Sequence, residues 1–197
     1  MRLEERADAA RNREAILAAA ETLFAKHGVE SVTMDEIAAE ARVGKGTLYR
    51  RFGDRAGLAL SLLDRKEAEV QGLILTGPPP LGPGAPPHRR LVAFLDTLVA
   101  LVDENTDLHV VSEQGDPEAR YRSGAYSFFH RHAEFLIEEA RPDLDAAYLA
   151  DVLLAPLAGG FFRFARDARG VDPARMRAGL QLTARRLLGG RARGSRS

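Results

Sequence analysis

Apolar residues recur along the chain with the 3.6-residue period of amphipathic helices. In the first such stretch they occupy five positions on one helical face, namely Ile16, Leu17, Ala20, Leu23 and Phe24. Comparable stripes follow in the later part of the chain, and no segment has the two-residue alternation typical of a β-strand. The pattern predicts an all-α fold of about nine helices, with three small helices first and a larger helical bundle after them.

Turn and capping residues divide the first third of the chain into short helices. Gly28 follows the last apolar position of the first helix, where glycine commonly ends a helix. Thr33 and Glu36 have the spacing of a capping box, which predicts the start of a second helix. The residues 42–44 form a tight turn before a third helix, predicted from Lys45 to Phe52. Two short helices joined in this way predict a helix-turn-helix motif.

Proline residues mark the later element boundaries. Residues 76–88, with the sequence TGPPPLGPGAPPH, contain six of the ten prolines, which predicts a partly extended loop. Asp116-Pro117 predicts the start of one helix, and Pro142 predicts the start of a longer one. Pro156 lies inside the longer helix and is expected to kink it. Asp172-Pro173 predicts the start of the last helix.

The composition excludes several kinds of site. The chain of 197 residues has no cysteine, which excludes disulfides, thiolate zinc sites and cysteine nucleophiles. No run of about 18 apolar residues predicts a transmembrane helix, and the charged start lacks the apolar region of a secretory signal, so a cytoplasmic location is expected. The histidines form no i, i+4 pair, and there is no Gly-rich phosphate loop or Gly-x-Ser-x-Gly motif. We therefore expect no enzyme, no cofactor and no metal site.

Charge is unevenly distributed, although the formal net charge is zero. Residues 42–55 contain five basic residues and a single acidic one, Asp54. The second helix of a helix-turn-helix lies in the DNA major groove, where basic side chains donate to phosphates or guanine edges. Glycine near its start lets the backbone approach the duplex closely. These considerations predict a DNA-binding set consisting of Thr33, Lys45, Gly46, Thr47, Tyr49, Arg50 and Arg55.

Apolar and turn positions recur with fixed spacing across the first three predicted helices: ILxAAxxLF (16–24), GV (28–29), VTM (32–34), IA (37–38), Ala41, VGKGTLY (43–49) and Phe52. Together these segments resemble the DNA-binding domain of TetR (tetracycline repressor) family transcriptional regulators, and the resemblance covers roughly residues 12–62. Arg42 stands where the family often has glycine, Arg51 where it often has histidine, and Arg55 where it often has lysine. All three keep or add positive charge, so the resemblance still implies DNA binding.

The resemblance implies a ligand-responsive repressor that binds a pseudo-palindromic operator as a homodimer. The corresponding division of the chain is a helix-turn-helix DNA-binding domain at 1–54, a connecting helix at 55–75, a Pro/Gly-rich loop at 76–88, an effector-binding and dimerisation domain at 89–190 and a disordered basic tail at 191–197.

Two sets of residues are predicted for the C-terminal domain, and ordinary packing inside one subunit is the alternative for both. An apolar pocket with a few polar groups would bind a small apolar or amphipathic effector. Its predicted lining is Phe94, Leu98, Tyr121, Phe128, His132, Phe162 and Arg166. The resemblance implies a dimer interface on the last two predicted helices, formed by Leu149, Val152, Leu153, Leu157, Phe161, Met176, Leu180, Thr183 and Leu187.

Two further functions remain open from the residues alone. A DNA-binding regulator without a small-molecule effector, signalling through a protein partner, fits the same pattern. A metal-sensing regulator would use His109 with a histidine of the seventh predicted helix and nearby carboxylates. Repression rather than activation is implied by the family resemblance, and no residue of the sequence decides between them.

Overall fold

The computed structural model describes residues 2–114, 116 and 118–189, and within these it contains ten α-helices and no strand. The all-α prediction is confirmed. The predicted tail at 191–197 lies outside the described residues. The helices are α1 (Arg2–His27), α2 (Met34–Glu40), α3 (Lys45–Phe52), α4 (Arg55–Thr76), α5 (Pro87–Glu104), α6 (Thr106–Ser112), α7 (Gly124–Ala140), α8 (Ala146–Leu154), α9 (Gly159–Arg163) and α10 (Pro173–Gly189).

Within the described residues, the first of two compact units comprises residues 2–65 together with 107–114 and 116. Its core takes the predicted apolar stripe of α1, and Ile16, Leu17 and Ala20 are fully buried there. Gly28 ends α1 with a φ of 81°, a left-handed conformation that glycine adopts without steric cost. The remaining core residues come from α2, α3, the first half of α4 and α6, including Ile37, Leu48, Phe52, Leu58, Leu62, Leu108 and Val111.

Within the described residues, the second unit comprises residues 66–106 and 118–189. In it α5 packs against α7 and α10, and α7 packs against α8. Its largest fully buried side chains are the rings of Phe94 and Phe162. The second half of α4 contributes Val70 and Ile74 to this core, so α4 supplies buried residues to each unit in turn.

The predicted long helix after Pro142 is broken at Pro156, as expected from a residue without a backbone N–H. A 3₁₀ turn at Ala155–Leu157 ends α8, and α9 begins at Gly159. The two parts, Ala146–Leu157 and Gly159–Ala168, are bent by 51°. Within the described residues no single helix is long and apolar enough to cross a membrane, and this bent pair satisfies the length and composition test only jointly.

Three predictions of local structure are wrong. The helix expected from Pro142 begins instead at Ala146, where the Asp145 carboxylate accepts the Tyr148 backbone N–H. The helix expected from Asp116-Pro117 begins instead at Gly124, where the Ser123 hydroxyl accepts the Tyr126 backbone N–H. The segment 77–86 is a compact turn rather than an extended loop, because the Gly82 N–H donates to the Pro78 carbonyl and Gly82 is buried. A Cβ at Gly82 would lie 1.8 Å from the Gly77 carbonyl oxygen, so the turn closes only around glycine.

Two glycines of α4 have opposite surroundings, which gives a matched test of the packing. A Cβ at Gly57 would lie 2.0 Å from the backbone oxygen of Phe52, whereas a Cβ at Gly72 would meet nothing within 4 Å. We predict that Gly57→Ala lowers the free energy of unfolding by about 1–3 kcal/mol through overpacking. Gly72→Ala should raise it by about 0.5–1 kcal/mol through helix propensity. Urea unfolding followed by circular dichroism measures both, and effects of the same sign would contradict this packing.

Candidate DNA-binding surface

The second helix of the motif begins with the predicted capping box. The Glu36 N–H donates to the Thr33 hydroxyl over 3.2 Å, and the Thr33 N–H donates to the Glu36 carboxylate over 2.8 Å. Hydrogen bonds from the Thr33 backbone and hydroxyl lower the pKa of Glu36. The predicted cap at Thr33 is confirmed, and its exposed side chain is engaged within the helix terminus.

The turn between α2 and α3 is closed by backbone hydrogen bonds and one unusual torsion angle. The N–H groups of Arg42 and Val43 donate to the carbonyls of Ala39 and Ala38 over 3.1 and 3.0 Å. Arg42 has a φ of 55°, which a residue with a Cβ adopts at a cost of about 1 kcal/mol. This positive φ explains why glycine is frequent at the equivalent position in the family that the sequence resembles.

Opposite faces of α3 have opposite environments. Leu48 is fully buried and Phe52 is nearly so, both in the core of the first unit with Ile37. The exposed side chains project from the other face, and Thr47 is half-buried. A Cβ at Gly46 would meet no atom within 4 Å, so the surface is open beside it. The exposed residues of α3 are Lys45, Gly46, Tyr49, Arg50 and Arg51.

The basic side chains of this region differ in what they already contact. Lys45 forms an ion pair with Asp35 of α2. Arg51 donates to the Ala9 carbonyl over 2.7 Å, and Arg55 donates to the Glu30 carbonyl over 2.8 Å. Within the part of the chain that the structure describes, the Arg50 side chain makes no hydrogen bond or ion pair. Among the basic side chains of α3, Arg50 is therefore the one most available to DNA, whereas Arg55 at the start of α4 has a structural partner.

The residues predicted for an effector pocket do not all come together. Phe94, Phe128 and His132 do: the His132 ring lies edge-on to Phe94 at 5.1 Å and is stacked on Phe128 at 6.5 Å. Phe128 and His132 line a cleft of about 350 Å³. Phe94 and Leu98 are buried in the core.

Three other members of the predicted pocket lie elsewhere in the second unit. Tyr121 is exposed and packs edge-on against Tyr126 at 5.0 Å. Arg166 forms ion pairs with Asp103 and Asp167, and Phe162 is fully buried. The tertiary arrangement thus divides a set that sequence periodicity grouped together.

A larger cleft of about 720 Å³ lies along the 77–86 turn, α5 and α10 and contains none of the predicted pocket residues. Its acidic group, Asp96, forms an ion pair with Arg177, with 2.7 Å between Oδ1 and Nε. The smaller cleft includes His132, whose buried Nε2 has no hydrogen-bond partner among the described residues. Burial and the nearby positive charge of Arg90 lower the pKa of His132 to about 4.

The predicted dimer residues also divide by environment. Leu153 and Leu157 are buried within the protomer, and four others are partly buried against the same core: Leu149, Met176, Leu180 and Leu187. Val152, Phe161 and Thr183 are exposed. Sequence reasoning missed three further exposed apolar side chains of this region, Tyr148, Phe164 and Leu182. The i, i+4 spacing of Tyr148 and Val152 was the available signal.

Two helices joined by a tight turn, with the second presenting basic and polar groups outward, define a helix-turn-helix DNA-binding protein. Residues 16–62 match the family described as bacterial regulatory proteins, tetR family. The chain is 29% identical over 170 residues to the HTH-type transcriptional regulator SAB2452 of Staphylococcus aureus (strain bovine RF122 / ET3-1), covering 85% of this chain and 89% of that protein. The family match over residues 16–62, the curated relatives and the solved structures together support a TetR-family DNA-binding transcriptional regulator.

Solved structures have the same fold. NalD, the secondary repressor of the MexAB-OprM multidrug efflux pump in Pseudomonas aeruginosa, superposes with a TM-score of 0.55 at 26% identity, covering 91% of this chain and 98% of that chain. A Saccharomonospora viridis protein in complex with choline superposes with a TM-score of 0.60 at 23% identity, covering 85% of this chain and 92% of that chain. At 23% identity, the similarity to the choline-bound protein shows a common fold alone.

Arg50 and Arg55 should separate DNA binding from structural support. We predict that Arg50→Ala weakens binding to duplex DNA and flattens the dependence of log affinity on log salt by about one unit, with stability unchanged. Arg55→Ala should lower the free energy of unfolding by about 1 kcal/mol, because the bond to the Glu30 carbonyl is lost. Fluorescence anisotropy and urea unfolding measure the two effects. An Arg50→Ala variant with full DNA affinity would contradict the assignment of this surface.

Because of His132, the free energy of unfolding should decrease as the pH falls below 6.5. Its pKa of about 4 lies below the usual 6.5, so between these values the unfolded chain binds a proton that the folded chain does not. Stability is therefore lost as pH falls from 6.5 towards 4, by about 1 kcal/mol at pH 5 after allowance for solvent screening. His132→Phe should remove this part of the pH dependence, whereas the exposed His88→Gln should not. Urea unfolding at pH 7 and pH 5 tests it, and identical pH profiles for wild type and His132→Phe would refute it.

Proposed function

We propose that the protein is a ligand-responsive repressor that binds a pseudo-palindromic operator as a homodimer. The observation that carries the proposal is the outward face of α3, where Arg50, Lys45 and Tyr49 are exposed while Leu48 and Phe52 anchor the helix from behind. In this proposal Arg50 and Tyr49 contact phosphates, and Lys45 and Thr47 contact base edges. Lys45 would exchange its ion pair with Asp35 for a contact to DNA.

The homodimer follows from the small number of base pairs that one such motif reads. Two motifs on half-sites one helical turn apart give the selectivity that one cannot. Exposed apolar side chains on the last helices support this step, because such residues commonly mark an interface. They are Tyr148, Val152, Phe161, Phe164 and Leu182.

A response to a ligand would act as a shift between two populations. In one population the α3 helices of both subunits fit successive major grooves of the DNA, and in the other population they do not. The ligand releases DNA only to the extent that it prefers the second population. We infer that α4 is the connection, since it supplies Leu58 and Leu62 to one core and Val70 and Ile74 to the other.

Repression and a cytoplasmic location are also part of the proposal. NalD, 26% identical over nearly its whole length, is described as a repressor of an efflux pump. A regulator of this family must reach chromosomal DNA, which supports the location. The effector, the operator and the regulated genes are left to experiment.

Selection of bound fragments from the source genome, followed by footprinting, tests the proposal directly. The expected footprint contains two related half-sites about one helical turn apart, each protected in the major groove. Val152→Arg should reduce the dimer fraction in light scattering and weaken binding to this fragment by roughly tenfold or more. Leu73→Arg places the same charge at another exposed apolar position and should change neither.

The same fragment separates the effector-responsive regulator from one that signals through a protein partner. A panel of small molecules is screened by thermal shift, and each stabilising compound is then tested for release of the fragment. A compound that raises the melting temperature and lowers DNA affinity supports the proposal. A single unpaired footprint, or a monomer that binds the fragment fully, would overturn the homodimer.

A further inference from the structure

The cleft beside His132 has a lining that is mostly apolar and includes three basic groups. It lies between the end of α4, the 77–86 turn, the start of α5 and α7, all within the second unit. Its volume of about 350 Å³ is at the lower end of the range of small-molecule sites. The lining residues are Ile74, Leu75, Pro83, Arg90, Phe128, Arg131, His132 and Phe135.

The three ionisable groups in this lining are all basic. Among the described residues, only one of them, Arg131, forms an ion pair with a carboxylate. Arg131 is paired with Glu134 over 2.9 Å. His132 is neutral at pH 7, and its buried Nε2 has no hydrogen-bond partner. Arg90 is half-buried and forms no ion pair among the described residues.

Weak contacts hold the Arg90 guanidinium at the edge of the cleft. Its Nε and Nη2 atoms lie 3.5 and 3.4 Å from the carbonyl oxygens of Leu81 and Ile74. These distances exceed the usual 2.7–3.2 Å range for such bonds, so the donors are only partly satisfied. A half-buried cation without an anion is electrostatically unfavourable, and a carboxylate is its natural bidentate partner.

The apolar part of the lining would accept a hydrocarbon chain. Phe135 is 50% exposed and Leu75 is 59% exposed, unusual values for large apolar side chains. Together with Phe128 they line the same cleft as the Arg90 guanidinium. Covering them would remove apolar surface from water, which favours a ligand with an apolar body.

We propose that this cleft binds an amphipathic monoanion, an alkyl carboxylate whose head group is held by Arg90 and whose tail lies along Phe128, Phe135 and Leu75. The inference rests on the proposed ligand response and specifies its chemistry. A single unpaired guanidinium matches one carboxylate. A quaternary ammonium ligand, such as the choline bound by the Saccharomonospora viridis protein, would meet two arginines and no acidic residue here.

Calorimetric titration of the full-length protein with three probes of equal chain length tests the head group. The probes are octanoate, 1-octanol and octyltrimethylammonium. We expect octanoate to bind at least roughly tenfold more tightly than 1-octanol, the contribution of one charge-assisted pair. Octyltrimethylammonium should bind more weakly than 1-octanol. Equal or reversed affinities, or no binding of octanoate at millimolar concentration, would overturn the proposal.

Variants of the cleft test the assigned residues. Arg90→Met should weaken octanoate binding roughly tenfold or more and leave 1-octanol binding nearly unchanged. Arg89→Met removes the same charge from the preceding, exposed position and should have little effect. Because Arg90 also contacts two carbonyls, Phe135→Ala is a second variant that leaves the protein core intact. It should weaken both octanoate and 1-octanol several-fold, and unchanged affinity in Arg90→Met or Phe135→Ala would refute the site.

The selected operator fragment distinguishes failure of this inference from failure of the proposed function. If octanoate binds with this dependence but leaves DNA affinity unchanged, the site stands and the ligand response fails. If octanoate does not bind while another compound releases DNA, the response stands and the carboxylate site fails.

Discussion

The burial of one face of α3 is the constraint on which the DNA-binding surface depends. Leu48 and Phe52 are spaced by one helical turn and enter the core formed by Ile37, Leu17 and their neighbours. A helix fixed on one side cannot rotate about its axis without exposing these side chains, at a cost of about 1.5–3 kcal/mol each. The same packing therefore determines which residues project outward. The outward position of Arg50 and Tyr49 is a consequence of the core.

Charge density alone overstates how many basic groups are available to DNA. Of the basic residues between 42 and 55, Arg51 and Arg55 donate to backbone carbonyls and Lys45 is paired with Asp35. The carbonyl contacts hold α3 and the start of α4 in place and so support the surface indirectly. The ion pair of Lys45 is exposed and contributes little to stability, so its exchange for a contact to a base edge costs little. Only the contacts show which basic side chains support the fold and which are available to DNA.

Several features governed by neighbouring residues were predictable from the sequence. The capping box at Thr33, the helix end at Gly28 and the break at Pro156 all depend on local backbone chemistry, and all are present. The start of α7 at Gly124 and the compact 77–86 turn are also closed by local hydrogen bonds, but there the Asp-Pro and proline-rich patterns indicated different structures, and both predictions were wrong. Periodicity likewise predicted which helix faces are apolar but not which neighbour each face meets, so the predicted pocket and dimer sets each divide into core and surface residues.

Three partly buried arginines of the second unit form ion pairs with carboxylates of the chain itself, in contrast to Arg90. Arg141 holds Asp143 in a bidentate pair, Arg177 holds Asp96, and Arg166 holds Asp103 and Asp167. Each of these partly buried guanidinium groups is neutralised by a carboxylate from the chain itself. Arg90 has carbonyl contacts alone, beside an imidazole whose Nε2 is also unsatisfied. A chain that supplies acids to these three guanidinium groups but not to Arg90 leaves that position for an anion from outside.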